Sequence, residues 1–356
     1  MKIISFILAM LIIGANKGFC EGQKSQKMDY IPKILFTLGY GTESNQIGIA
    51  PEDPTRGEGE GLGDGPLGEP LLDSEGNIYI GDCVNGKIKK FDQSGKLLFV
   101  TQDMGPEFYP QSFRIDNQSN IYVIGGLGGV VKFDNQGRFV RVINYDPFGY
   151  DEEKLKSLRA SSPEIAEIPS FEDFPLIDGK GREYKVRYTT DYALDPDEIS
   201  IVKEQEIRIE TYSPNKKVMR SFILASIKAT QTSQKLTGTP TLSFPDYKDL
   251  KFGLRVDFVD RKGNIYASGL ARRNEPLVLK EGLYINSDII VYKYDPQGNF
   301  ITQVRFHNQP SVVPHHLGTG YIIDPSGNIY ALQFHAEGMD VVKYKWKPIF
   351  KEEEEK

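Results

Sequence analysis

The sequence predicts an all-β fold, a single β-propeller built from four-stranded blades. Three observations carry this expectation. A turn-strand unit, Asp-x-x-Gly-Asn-Ile-Tyr, recurs as DSEGNIYI at 73–80, DRKGNIYA at 260–267 and DPSGNIYA at 324–331, with a looser DNQSNIYV at 116–123. A second turn follows most copies, as FDQSGKLLF at 91–99, FDNQGRFV at 133–140 and YDPQGNF at 294–300. Finally, the chain carries orphan strands near its two ends, PKILFTLG at 32–39 and MDVVKYKW at 339–346. One small antiparallel sheet cannot bury both faces alone, so such repeats must stack on one another.

In the first copy, Pro70 to Asp73 reads as strand a, Asn77 to Gly81 as b, Lys87 to Phe91 as c and Lys96 to Val100 as d. The corners have a mechanism. Asp hydrogen-bonds backbone two residues on, and Gly takes the positive φ that a tight hairpin needs. Alternating β-branched and aromatic residues between the turns fit pleated strands. The same spacing points to a degenerate copy, YALDPDEISIV at 192–202, with EIRIETY at 206–212 and KVMRSFIL at 217–224 as its strands c and d. Five units result, with a–b turns at Asp73, Asp116, Asp195, Asp260 and Asp324. The hairpin PLIDGKGREYKVRY at 175–188 fits either an eroded sixth blade or an insertion. The last unit lacks a strand d, and the N-terminal strand is expected to supply it, closing the ring and removing open edges.

The stretch GNIYIGDCVNGKIKKFDQSGKLLF at 76–99 resembles an NHL-type propeller repeat. The preceding RGEGEGLGDGPLGEP is similar to the run that opens blades in bacterial six-bladed β-propeller proteins. The resemblance covers roughly 30–145 and 190–346 and implies six blades where five are counted. It is nearly silent on activity, because that family mixes binding modules with a minority of enzymes.

Composition narrows the class of partner. A formal net charge of −6 argues against a nucleic-acid binder, which needs a basic stripe to displace counterions. Lys2 followed by the apolar run Ile3 to Ile13 reads as a secretory signal peptide, too short to span a bilayer as an ordinary helix. The expected organisation is a signal peptide at 1–20, a linker at 21–29, the propeller at 30–350 and a charged tail at 351–356. The expected location is exported: periplasmic, cell-surface or secreted. The alternative is a lipoprotein anchored through Cys20. No later stretch is apolar enough to be transmembrane, and Cys83 reads as a small packed residue.

Strand direction sorts the loops. The a–b and c–d turns share one face and are tight. Every large departure falls on the other: the Gly-rich 56–69 and the insertions at 146–190, 225–252 and 270–288. Function is expected there, since variable loops on a rigid frame usually carry it. His307, His315, His316 and His335 all fall on that face, and imidazole both binds borderline metals and titrates near neutrality, so a divalent metal is one expectation. Asp82 ends strand b at a position that is acidic in NHL repeats. Arg272 and Arg273 in the b–c insertion could clamp an anionic ligand. Gly63-x-Gly65-x-x-Gly68 matches a dinucleotide pattern, but a strand follows it where that chemistry needs a helix. The segment 151–168 reads as a helix, with Leu155 and Leu158 on one face, lying either across the propeller as a lid or on its surface.

These readings lead to an exported binding or scaffold propeller that recognises a protein, peptide or glycan through its loop-rich face, without nucleic acid. The alternative is a metal-assisted hydrolase or lyase of the NHL-like or lactonase-like propeller type, using the histidines with Asp82.

Overall fold

A computed structural model of the chain describes residues 28–48, 67–102, 110–125, 129–143, 157–158, 160–169, 176–194, 200–229, 234–237, 247–278, 284–307 and 320–348. The fold is the expected β-propeller. The chain enters through β1 (Met28–Tyr40), with a short parallel companion β2 (Gln46–Ile47). The first blade is β3 (Leu67–Leu72), β4 (Ile78–Asp82), β5 (Lys87–Phe91) and β6 (Leu97–Val100), antiparallel in sequence order. The second repeats this with β7 (Pro110–Ile115), β8 (Ile121–Gly125), β9 (Val130–Phe133) and β10 (Phe139–Ile143).

The third blade corrects the sequence reading. Ile177 bridges Glu183, β11 (Glu183–Leu194) pairs with β12 (Ser200–Tyr212), and β12 pairs with β13 (Val218–Ala229). Its a–b turn is therefore at Asp178, not Asp195. Residues 200–212, which the sequence reading divides between strands b and c, are one continuous β12, and the hairpin at 176–188 supplies strands a and b. The reason is local chemistry: Asp178, Gly181 and Tyr184 keep the three residues the turn uses, whereas the position six residues after Asp195 is Ile201. A short β14 (Gln234–Thr237) extends this sheet beyond β13.

The fourth blade is β15 (Tyr247–Val259), β16 (Ile265–Val278), β17 (Tyr284–Tyr294) and β18 (Phe300–His307). The fifth is β19 (Tyr321–Ile323), β20 (Ile329–His335) and β21 (Gly338–Pro348), completed by β1 as its fourth strand. The orphan strands thus pair as expected. Thr37 donates to Asp340, and the Tyr40 hydroxyl donates to the His335 carbonyl at 2.9 Å.

Pro32–Lys345 form one compact unit. A second comprises Met1–Ile31 with Trp346–Lys356; within its described part the Tyr30 and Trp346 rings meet at a tilt, their centres 5.1 Å apart.

The turn chemistry explains the motif residue by residue. In the first blade Asp73 Oδ1 accepts the backbone N–H groups of Glu75 and Asn77 at 3.0 and 2.9 Å, and Oδ2 accepts from Asn77 Nδ2 at 2.9 Å. Gly76 closes the corner at φ +81°. Asp116, Asp260 and Asp324 repeat the pattern with Asn120, Asn264 and Asn328, while Asp178 substitutes Arg182 for the asparagine. Tyrosine six residues on reaches back: Tyr79, Tyr122, Tyr184 and Tyr266 donate to their turn aspartates at 3.4, 3.3, 3.2 and 3.1 Å. A strand-c lysine lies across from that tyrosine in four blades, as Lys90, Lys132, Lys293 and Lys343, each 4.6–5.3 Å from the ring centre. In the third blade the residue across from Tyr184 is Thr211.

Blades join through apolar layers and through these corners. The third and fourth share a core that includes Ile207, Leu254 and Tyr292; the fifth and first share Ile78, Phe91, Tyr330 and Leu332; the first and second share Tyr79, Ile88, Phe113 and Phe133. Strand-d aromatics meet the c–d turn glycines of the next blade. Phe36 abuts Gly95, Phe99 abuts Gly137 and Phe222 abuts Gly298, so a Cβ at any of these glycines would strike a ring.

The flank of the second blade is covered differently. Tyr122, Ile124, Val130 and Ile143 pack against Ile165 and Ile168, with Leu158 alongside. The expected helix is interrupted at Ser162: the described residues 157–158 and 160–161 are helical before it, and Ser162 caps the next span, Pro163–Ala166. Leu158 takes the apolar role expected of it, and Leu155 lies outside the described residues. Glu167 ties the segment down by pairing with Lys132 at 2.8 Å and with Arg141.

Candidate functional site

The b–c hairpin of the fourth blade outgrows its neighbours. β16 and β17 stay paired to Val278 and Tyr284, well past the end of β18 at His307. This accounts for the 270–288 insertion as an extended two-stranded arm. Ile285, fully buried, and Leu277 pack into the core shared by the fifth and first blades. The arm is therefore held by apolar contact at a distance from its own sheet, which fixes the residues at its base.

At that base three side chains from three adjacent strands converge. Asp288 sits across from Ala271 on β16 and from His307 on β18, and is 1% exposed. Arg273 Nη1 donates to both carboxylate oxygens, at 3.1 and 2.9 Å, and His307 Nδ1 lies 2.9 Å from Oδ1. Burying a carboxylate is costly unless it is paired and hydrogen-bonded, and these two partners supply that compensation. An ionised carboxylate only accepts hydrogen bonds, so the proton of a neutral His307 is on Nδ1 and its Nε2 presents a lone pair. Arg273 Nη2 and His307 Nε2 meet no partner among the described residues, and the two side chains are 24% and 37% exposed. One buried anion thus orients a donor and an acceptor that both remain reachable by solvent.

Two of the residues predicted from sequence, Arg273 and His307, are brought together here. Asp288 was missed. Its signal was a charged residue at the head of the apolar run IIVYKY, a pattern that acquires meaning only with the strand register.

His335 stands elsewhere, in the tight β20–β21 turn. Its Nδ1 accepts the Glu337 N–H at 3.2 Å and its Nε2 faces Asp340 at 3.5 Å, so both ring nitrogens are engaged. Asp82 is fully buried in a network of its own. It pairs with Lys89 at 2.7 Å and accepts from the Gly48 and Asn85 backbones at 3.1 and 3.2 Å and from Asn85 Nδ2 at 2.8 Å. Lys89 also donates to the Glu43 and Gln46 carbonyls, so this network fastens the 41–48 segment to the first blade. His315, His316, Gly63 and Gly65 and the side chain of Arg272 lie outside the described residues. Cys83 is buried, as a packed residue would be.

A divalent metal fits these donors poorly. Among the described residues no three His, Cys, Asp or Glu side chains group as a metal site. At the one His–Asp pair with an open ring nitrogen, the carboxylate is already held by a guanidinium, whose charge would oppose a second cation. No helix among the described residues is long and apolar enough to cross a membrane.

The sequence matches no family model and no curated protein. Among solved structures it is similar to a member of the DUF4221 family from Bacteroides vulgatus, at 10% identity and a TM-score of 0.38, over 92% of this chain and 100% of that one. It is also similar to a streptogramin B lyase (11% identity, TM-score 0.33, 90% and 98% covered). A third likeness is to the Dos1 propeller (11%, 0.31, 90% and 93%). Scores this low carry no argument about chemistry; the fold stands on its own strand pairings.

Proposed function

We propose that this chain is an exported binding propeller that takes a protein, peptide or glycan ligand on the side where the b–c arms and d–a connections gather. The turn face offers little to a ligand: its Asp carboxylates are consumed by their own corners. The observation that carries the proposal is the outward pair of Arg273 Nη2 and His307 Nε2 on a buried Asp288, a rigid and partly exposed recognition group on the opposite side. Export rests on the Lys2–Ile13 pattern. A metal-assisted lyase or hydrolase would have to draw on His315 or His316, and nothing in the described donors favours it.

The test is a glycan and peptide array probed with wild-type protein and with Arg273→Gln. Ligands captured by the wild type should be lost or at least tenfold weakened in the variant. Full retention of every captured ligand would overturn the assignment of this side.

A further inference from the structure

We propose that the turn side of the third and fourth blades rests on an anionic lipid bilayer, leaving the loop-rich side turned away from that surface; this does not depend on the ligand reading above.

The turn corners spend their carboxylates internally, so what they present to solvent is set by the tips. Asp178 and Asp260 each accept the N–H of the third turn residue, Lys180 and Lys262, at 2.9 Å. That fold of the backbone sends the side chains at the second and third positions outward. In the first, second and fifth blades these positions read Ser-Glu at 74–75, Asn-Gln at 117–118 and Pro-Ser at 325–326. In the third blade they include Lys180, and in the fourth they are Arg261 and Lys262, all three exposed.

These cationic turns touch. The Gly179 N–H donates to the Arg261 carbonyl at 3.0 Å, and a Cβ on Gly179 would stand 2.7 Å from that oxygen. Gly181 lies beside Pro214, in the c–d turn that bears the exposed Lys216 and Lys217. Together 178–183, 213–217 and 260–264 hold six cations and three carboxylates. The carboxylates are taken: Asp178 by Arg182, Glu183 by Lys216, and Asp260 by its own corner with Asn264. Lys180, Lys217, Arg261 and Lys262 meet no carboxylate among the described residues. Like charges gathered without counter-charge repel, and only an anionic partner relieves that repulsion; a neutral one does not. The net charge of −6 over the whole chain does not cancel the patch, because charges beyond about 8 Å are screened at physiological ionic strength.

Three features favour a bilayer over an acidic peptide. The cations stand on separate turn tips at the ends of long side chains, which suits contact with a plane more than one groove. Exposed apolar side chains flank them. Ile177, 47% exposed, directly precedes Asp178, and Val218 and Met219, 54% and 57% exposed, directly follow Lys217. Basic residues beside exposed apolar ones match the headgroup boundary of an anionic membrane. Finally, β1 runs from the turn side, where Phe36 abuts Gly95, to the b–c side, where Tyr40 bonds the His335 carbonyl. Pro32, where this compact unit begins, therefore stands on the turn side. Any hold that the upstream run Ile3 to Ile13, or a lipid on Cys20, has on a bilayer reaches the propeller from there.

The experiment is vesicle flotation of the full chain with phosphatidylcholine alone and with about 30 mol % phosphatidylglycerol, at low salt and at about 0.5 M NaCl. Binding should be at least tenfold tighter to the anionic vesicles, and high salt should remove most of that preference. Lys180→Glu combined with Lys262→Glu should weaken binding to anionic vesicles tenfold or more, and Met219→Ser should weaken it without any change of charge. The lipid and salt comparisons use the wild type, so they do not depend on a variant folding. Equal binding to both vesicles, or full retention in the double variant, would overturn the proposal. A soluble polyglutamate peptide is the competing probe. If it binds and the anionic vesicles do not, the surface docks acidic protein segments and the bilayer assignment falls.

Discussion

Lys293 lies across the sheet from Tyr266, its ammonium 5.3 Å from the centre of the ring. Burial pushes the Lys293 amine down to about 8, against the pull of Asp260. The equivalent Lys90 in the first blade goes the other way: burial lowers it, but Tyr79 and Asp73, the latter at 2.9 Å, outweigh that and hold it above its ordinary value. The same motif thus carries opposite titration behaviour in two blades.

A pH dependence follows for Lys293. The unfolded chain, with an ordinary lysine, binds a proton between pH 8 and about 10.5 that the folded chain has released. Stability from this group therefore rises with pH across that window, at up to about 1.4 kcal/mol per pH unit. Urea midpoints measured from pH 7.5 to 10 should show this rising component, and Lys293→Met should remove it. An unchanged pH profile in the variant would assign the slope to other groups.

Two turn positions that are glycine elsewhere carry side chains. Ser119 and Lys216 occupy the fourth position of their turns at φ 62° and 59°, where Gly76, Gly95 and Gly298 stand in other blades. Left-handed backbone costs a residue with a Cβ about 1–2 kcal/mol, while glycine adds an entropic cost of about 0.5–1 kcal/mol. Ser119→Gly and Lys216→Gly should each raise stability by about 0.5 kcal/mol, read as a higher melting temperature.

Tyr292 and Tyr294 bring hydroxyls into the core shared by the third and fourth blades, fully buried and without a hydrogen-bond partner among the described residues. An unsatisfied buried polar group costs about 1–3 kcal/mol. Tyr292→Phe and Tyr294→Phe should therefore be neutral or stabilising in denaturant titrations. Tyr266→Phe, which loses the bond to Asp260, should destabilise by about 1 kcal/mol.

Closure of the fifth blade depends on Gly338. A Cβ there would collide with the Leu38 carbonyl oxygen of β1. Gly338→Ala should cost about 1–3 kcal/mol, because backbone on both sides must move. Hydrogen exchange should show the loss concentrated in Pro32–Tyr40 and β21; uniform loss across the blades would contradict a local closure defect.

Much of the frame was legible because its corners are governed by local backbone chemistry. Asp73, Asp116, Asp260 and Asp324 each satisfy their own turn, so residue type alone locates them. The third blade misled because YALDP at 192–196 imitates the YIIDP at 321–325 that opens the last unit. The decisive residue was the tyrosine six positions on, present at Tyr184 and replaced by Ile201 after Asp195. The site was less legible. Arg273 and His307 stood out as polar residues on the loop-rich side, but Asp288 joins them only through the register of three strands separated by 34 residues between Arg273 and His307.

The bond from Thr37 to Asp340 spans 303 residues of sequence. On a ribosome adding about 5–20 residues per second, β1 would wait on the order of 15–60 s before its partner strand emerges. During that interval the apolar Ile34, Leu35, Phe36 and Leu38 have no sheet to join. The last blade cannot assemble co-translationally, so the nascent chain carries a sticky, single β-strand for almost the whole of its synthesis. A holding chaperone, or threading across a membrane in an extended state, would keep that strand from pairing with another chain.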